Sequence, residues 1–278
     1  MSKLVFTLVA LFIIAQILGI YTGYVIIEDF HSNPYVNAIT VTTDAESPAN
    51  VLVFMLYVLI GAGLMIVLIR KLGLHLIIFQ VLEFFLISTA SSIVFYSFLR
   101  IFFNYDISTF GGIFLGLAFA GAKVLLPGLK NLAAVFATAG VGVIFGISLA
   151  PLPVILFLLF LSIYDYISVF KTKHMVEFAD FIVKKELAFT VTSKAVIAGK
   201  ERRIDLGTGD LIAPIIFEVS TLAYMPFTAT IFVFIGALVS LAVFLMLVWK
   251  KRIVLPALPP LVFGMFIFFL LGMLLGFY

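Results

Sequence analysis

Cysteine is absent from the 278 residues, which removes disulfides, thiolate metal sites and a cysteine nucleophile, and leaves the redox compartment unread. Charge is scarce: only 11% of residues are Asp, Glu, Lys or Arg, less than half the ~25% of a soluble domain. Histidine occurs three times, as His31, His75 and His174, without metal-ligand spacing, so neither a metal nor any other cofactor is expected. No histidine falls in an apolar run opposite a buried serine, which argues against Ser-His catalysis. What fills the chain instead is apolar, with 64% hydrophobic residues and a mean hydropathy of +1.29. That balance excludes a soluble globular domain and describes a membrane protein.

A helix crossing a bilayer needs ~20 mostly apolar residues. Nine stretches qualify: 4–27, 51–69, 74–99, 108–126, 132–150, 153–170, 207–225, 228–249 and 257–277. The expected fold is therefore an all-α polytopic membrane protein with nine transmembrane helices. It reads as one integrated membrane domain: helices 1 to 6 in residues 1–170, a polar segment at 171–206, and helices 7 to 9 in 207–278. The first stretch is too long for the apolar core of a secretion signal and is read as a permanent helix.

Lys and Arg collect on the cytoplasmic side of membrane proteins. With the N-terminus inside, 16 of the 17 basic residues fall in inner segments and only Arg100 lies outside. The first outer loop holds Glu28, Asp29, Asp44 and Glu46 and no basic residue. These charges played no part in choosing the spans, so their distribution supports an inside N-terminus and an outside C-terminus. The net charge of +3 is explained in the same way and does not indicate nucleic acid.

Small residues recur every fourth position in the fourth and fifth spans, at Gly112, Gly116 and Ala120 and at Gly142, Gly146 and Ala150. Such stripes let helix backbones approach closely in lipid. Packing within the bundle is the simpler reading, and self-association into a homo-oligomer stays open. In the polar segment, Met175, Phe178, Ile182 and Leu187 recur at helical spacing among charges, as in an amphipathic helix lying at the membrane surface. The stretch that follows, up to Gly207, reads as a mobile linker.

Four acids fall within the spans: Glu83, Asp165, Asp210 and Glu218. A carboxylate inside a span costs ~2.5 to 3.5 kcal/mol on insertion scales and commonly marks a functional interior. Glu83 and Glu218 lie nearer the midplane and read as protonated or hydrogen-bonded structural acids, with a polar path for water or substrate as the alternative. Asp165 precedes Lys171 by six residues on a helix running inward, and Asp210 follows Arg203 by seven on a helix running outward. Two antiparallel neighbours thus carry one carboxylate each at similar depth near the inner leaflet. A facing pair of aspartates holding one proton can activate water with the ionised member while the protonated one polarises a carbonyl. This is the chemistry of aspartyl proteolysis.

The flanking residues sharpen the reading. Asp210 closes Gly207-Thr208-Gly209-Asp210, where two residues without side chains let backbone or substrate come close. Asp165 follows Tyr164, an apolar ring with a polar tip. Pro256-Ala257-Leu258 opens the ninth span, and Pro256, Pro259 and Pro260 deprive that backbone of amide donors. With these three elements on the sixth, seventh and ninth spans, the chain resembles the intramembrane aspartyl proteases of the presenilin and signal peptide peptidase family. The family's YD, GxGD and PAL motifs match Tyr164-Asp165, Gly207 to Asp210, and Pro256 to Leu258. Thr208 stands where the family usually has leucine.

The resemblance implies an aspartic endopeptidase that cuts transmembrane-helix substrates, with Asp165 and Asp210 catalytic and Tyr164, Gly207, Thr208, Gly209, Pro256, Ala257 and Leu258 supporting the site or the substrate. Its inside N-terminus is similar to presenilin rather than to the inverted signal peptide peptidases. The compact length suggests an archaeal or bacterial relative, in the cell membrane, working without accessory subunits. Competing classes are an ion-coupled secondary transporter, which ideally shows inverted repeats not found here, a noncatalytic scaffold, and a prepilin-type peptidase, which the YD and PAL elements disfavour.

Overall fold

Inside hydrocarbon a backbone amide has no water to bond, so an apolar run of this length satisfies itself by coiling. The computed structural model describes residues 2–30, 32–33, 36, 38–42, 44–71, 76–172, 182, 185–197, 200–251 and 256–278. Nine α-helices form among them: α1 (Ser2–Asp29), α2 (Ala49–Lys71), α3 (Leu76–Leu99), α4 (Tyr105–Leu125), α5 (Lys130–Ser148), α6 (Pro151–Ile167), α7 (Thr208–Tyr224), α8 (Phe227–Lys251) and α9 (Leu258–Leu274). They coincide with the nine expected spans to within three residues at each end. Among the described residues, six helical stretches are long and apolar enough to cross a membrane, those of α1, α3, α4, α5, α6 and α8.

One of the three helices outside that set organises the architecture. Helix α7 has 17 residues, about 26 Å at helical rise, and carries Asp210 and Glu218. It is tolerated because it is the centre of the bundle: Leu211 and every residue from Ala213 to Thr221 are buried, with α1, α5, α6, α8 and α9 packed around it. Gly142 and Gly146 of α5 receive Ile215 and Val219 of α7, and a β-carbon at Gly142 would come within 2.5 Å of the Ile215 side chain. In α4, Gly112 meets the Ser92 carbonyl and the Tyr96 amide of α3. Both stripes are thus used within the bundle. Phe217 of α7 stacks against Phe266 and Phe269, at ring separations of 5.7 and 5.2 Å, locking α9 to the centre.

The segment expected to be a mobile linker is instead a β-hairpin. Strands β1 (Thr190–Ile197) and β2 (Lys200–Gly207) pair antiparallel, with Thr190 opposite Gly207 and Ile197 opposite Lys200. Asn131 at the start of α5 grips its first strand from both sides, donating to the Thr192 carbonyl at 2.7 Å and accepting from its amide at 2.9 Å. Of the expected amphipathic helix, Met175 and Phe178 lie outside the described residues; Ile182 and Leu187 are 3% and 1% exposed, packed into the protein rather than spread on its surface. His31, His75 and His174 also lie outside the described residues.

Two ion pairs, one buried and one partly buried, brace opposite ends. Glu83 of α3 accepts from Lys123 of α4 at 2.5 Å and from the Ala188 amide, so it ties two helices to the approach to β1. At the other end, Arg100 clasps Asp29 through Nε at 2.6 Å and Nη2 at 2.9 Å, lies over the Tyr105 ring, and shares Asp29 with the Tyr96 hydroxyl.

Candidate active site

Three chain segments meet where β2 passes into α7. Gly207 is the last residue of β2 and the N-cap of α7, with extended backbone at φ −64° and ψ 145°. Asp210 therefore occupies the third position of the helix, where a carboxylate can reach back to the N-cap amide. It turns back in that direction. The carboxylate folds so closely over Gly207 that a β-carbon there would lie 3.2 Å from Oδ2. Gly209 is different, since it is exposed and a β-carbon on it would meet nothing within 4 Å. The first glycine of the motif makes room for Asp210, and the second leaves open space beside it.

Thr208, the departure from the family pattern, has a visible function. Its amide and its hydroxyl both donate to the Phe189 carbonyl, at 3.1 and 3.2 Å. A leucine could supply only the first of these bonds. The start of α7 is thereby fastened to the residue that precedes β1.

Asp165 comes from the last turn of α6. Beyond it the helix widens into a π turn, Ser168–Thr172, and the Ser168 hydroxyl donates to the Asp165 carbonyl at 3.0 Å. Single π turns commonly sit at functional sites because they re-aim side chains. The Asp165 carboxylate is half-buried and faces the start of α9, where the Leu258 amide approaches its Oδ2 at 3.4 Å. The first amides of a helix have no partner within it, and Pro259 and Pro260 have none to offer, which leaves Leu258 as the donor at that point. Pro256 and Ala257 are buried and Leu258 is half-buried, so the PAL element packs into the bundle beside the acid. Tyr164 is half-buried on the neighbouring position.

The two carboxylates are close enough to interact electrostatically. Of the four acids within spans, the fold brings these two together, sends Glu83 to Lys123, and isolates Glu218 on α7 with neither carboxylate oxygen hydrogen-bonded among the described residues. One supporting residue escaped the sequence reading. Gln16 of α1 is fully buried and donates to the Leu211 carbonyl at 3.3 Å, next to Asp210. Pro214 of α7 has no amide to offer the Asp210 carbonyl one turn back, so the backbone here is held partly from outside the helix. A lone amide in a long apolar run was the signal available for Gln16.

Comparison with known proteins agrees with this geometry. A family model described as "Signal-peptide peptidase, presenilin aspartyl protease" matches residues 9–277. The chain belongs to that family. It is an intramembrane aspartyl protease. Two solved structures of a presenilin family intramembrane aspartate protease are similar to it. One, in space group C222, shares 28% identity over 98% of this chain and 99% of its own, with a TM-score of 0.70. The other, in space group P2, shares 27% identity over 94% and 97%, with a TM-score of 0.64. No curated protein matches the protease. It is an integral membrane protein with multiple spans, and the likeness extends over the helical bundle as a whole rather than the motif-bearing segments alone.

Proposed function

We propose that Asp165 and Asp210 are the catalytic pair of this protease and that it cleaves peptide bonds within transmembrane-helix proteins, at the end of the bundle that carries the hairpin. The observation that carries this reading is the approach of the two carboxylates where α6, α7 and α9 converge. One member of the pair, ionised, takes a proton from water as its oxygen attacks the scissile carbonyl carbon. The other, protonated, hydrogen-bonds that carbonyl as it becomes tetrahedral. Collapse then breaks the carbon–nitrogen bond, with a proton delivered to the departing amine. The pair exchanges roles in each cycle, and its titration belongs to both residues.

A helical peptide bond is shielded by its own hydrogen bonds, so the substrate unwinds locally and needs new backbone partners. The open side of Gly209, the segment at Pro256 to Leu258 and the last residues of β2 offer them. The excess of basic residues at the hairpin end supports a cytoplasmic placement of the site, and this reading requires no accessory subunit. The test is cleavage of a single-span substrate by purified protein, with products identified by mass. Asp165→Asn and Asp210→Asn each abolish it in this reading. Specific cleavage retained by either variant overturns the assignment. Replacing Leu258 with a bulky polar residue should lower the rate while leaving the fold intact.

A further inference from the structure

Away from the acids, the hairpin end holds a second polar site. A cavity of about 380 Å³ opens between the start of α5 and the hairpin, bordered by Lys130, Asn131, Glu186, Thr192, Lys194 and Arg203. We propose that it binds the phosphate of an anionic phospholipid headgroup. Lys130 is the reason. It is 7% exposed, and its ammonium donates to the hydroxyls of Thr190 and Thr192 at 3.2 and 3.0 Å, both neutral. An ammonium has three protons to donate, so one remains for a ligand in the cavity.

Among the described residues, the surrounding acids are paired with other cations. Asp205 holds Arg203 at 2.7 Å and accepts from the Thr192 hydroxyl, while Glu186 holds Lys194 at 3.0 Å. Three cations therefore face two carboxylates, and the most buried cation lacks an ion-pair partner among the described residues. A buried charge in that position calls for an anion. The walls are rigid, because Asn131 locks the start of α5 to β1.

The border of the cavity selects a lipid over a free anion. Immediately before Pro127, at its rim, Val124, Leu125 and Leu126 are 58%, 80% and 57% exposed. They continue the lipid-facing side of α4, where Phe114 and Leu117 are also exposed. An occupant is met by positive charge at one end and by hydrocarbon-covered helix at the other, the two halves of a phospholipid.

The site is independent of the catalytic assignment and is tested by binding. Full-length protein is reconstituted in phosphatidylcholine nanodiscs titrated with phosphatidylglycerol, and lipid retention is read by native mass spectrometry alongside thermal unfolding. Expected are retained phosphatidylglycerol and a raised Tm, with apparent affinity falling about fivefold to tenfold in Lys130→Met and in Lys194→Gln. Lys3→Gln, which removes the same charge from an exposed position, should leave affinity unchanged. Should Lys130→Met fail to fold, Lys194→Gln carries the comparison. Equal loss in Lys3→Gln would overturn the site in favour of diffuse attraction. Stabilisation by inorganic phosphate without any by phosphatidylglycerol would overturn the lipid assignment.

Discussion

Adding one methyl group to either glycine of the GxGD motif should produce opposite failures. At Gly207 the backbone angles suit any residue, so Gly207→Ala brings no backbone strain and costs about 1 kcal/mol or less as a poorer N-cap. Its new β-carbon, however, would sit 3.2 Å from Oδ2 and 3.9 Å from Cγ of Asp210, which obliges the carboxylate to move by a few tenths of an ångström. A misplacement of 1 Å can cost ~100-fold in rate, so a shift of this size corresponds to roughly a tenfold fall in kcat with KM little changed. At Gly209 the added methyl meets nothing, and alanine in the first helical turn stabilises by up to about 1 kcal/mol. That methyl occupies space assigned here to the substrate backbone, so Gly209→Ala should raise KM while Tm holds or rises. Initial rates against a single-span substrate, with thermal unfolding of the same preparations, separate the two. Full kcat in a folded Gly207→Ala variant would refute the claim that Asp210 is positioned against Gly207.

Other perturbations follow from the packing. Glu83→Gln leaves Lys123 buried without its ion partner and should destabilise by about 3 to 5 kcal/mol, whereas Glu83→Gln combined with Lys123→Met should recover much of the loss in thermal unfolding. Glu218→Met removes two buried carboxylate oxygens that have no hydrogen-bond partner among the described residues and should stabilise by about 1 to 3 kcal/mol, read as a higher Tm. Gly142→Leu forces a side chain into Ile215 and should cost about 1 to 3 kcal/mol or more, with a lowered Tm as the measurement.

Helix positions were legible because hydrocarbon imposes a length on every crossing, and apolar runs between short polar or Pro/Gly breaks mark that length plainly. The proximity of Asp165 to Asp210 was legible for a related reason: each lies a fixed number of residues from a cluster of basic residues on antiparallel neighbours. The hairpin was not. Thr190, Val191 and Thr192 give a β-branched start, but Lys194, Lys200, Arg202 and Arg203 made the stretch look solvated, and only its anchoring to Asn131 and its continuation into α7 give it a fixed place. Glu83 is the hydrogen-bonded structural acid its position suggests, but its partner was not legible, since Lys123 stands 40 residues away and sequence spacing does not report pairing between helices. Thr208 appeared to be a departure from pattern, and its bond to Phe189 needed three-dimensional contact to be seen.

The enclosure of α7 bears on how the chain is made. A 17-residue segment bearing two carboxylates is a poor candidate for entering a bilayer alone. By the time ribosomes reach it, α1, α5 and α6 have already been synthesised, and together they offer a surface that replaces lipid along much of its length. Insertion of α7 thus depends on prior residence of its neighbours, and α8 and α9 close over it last.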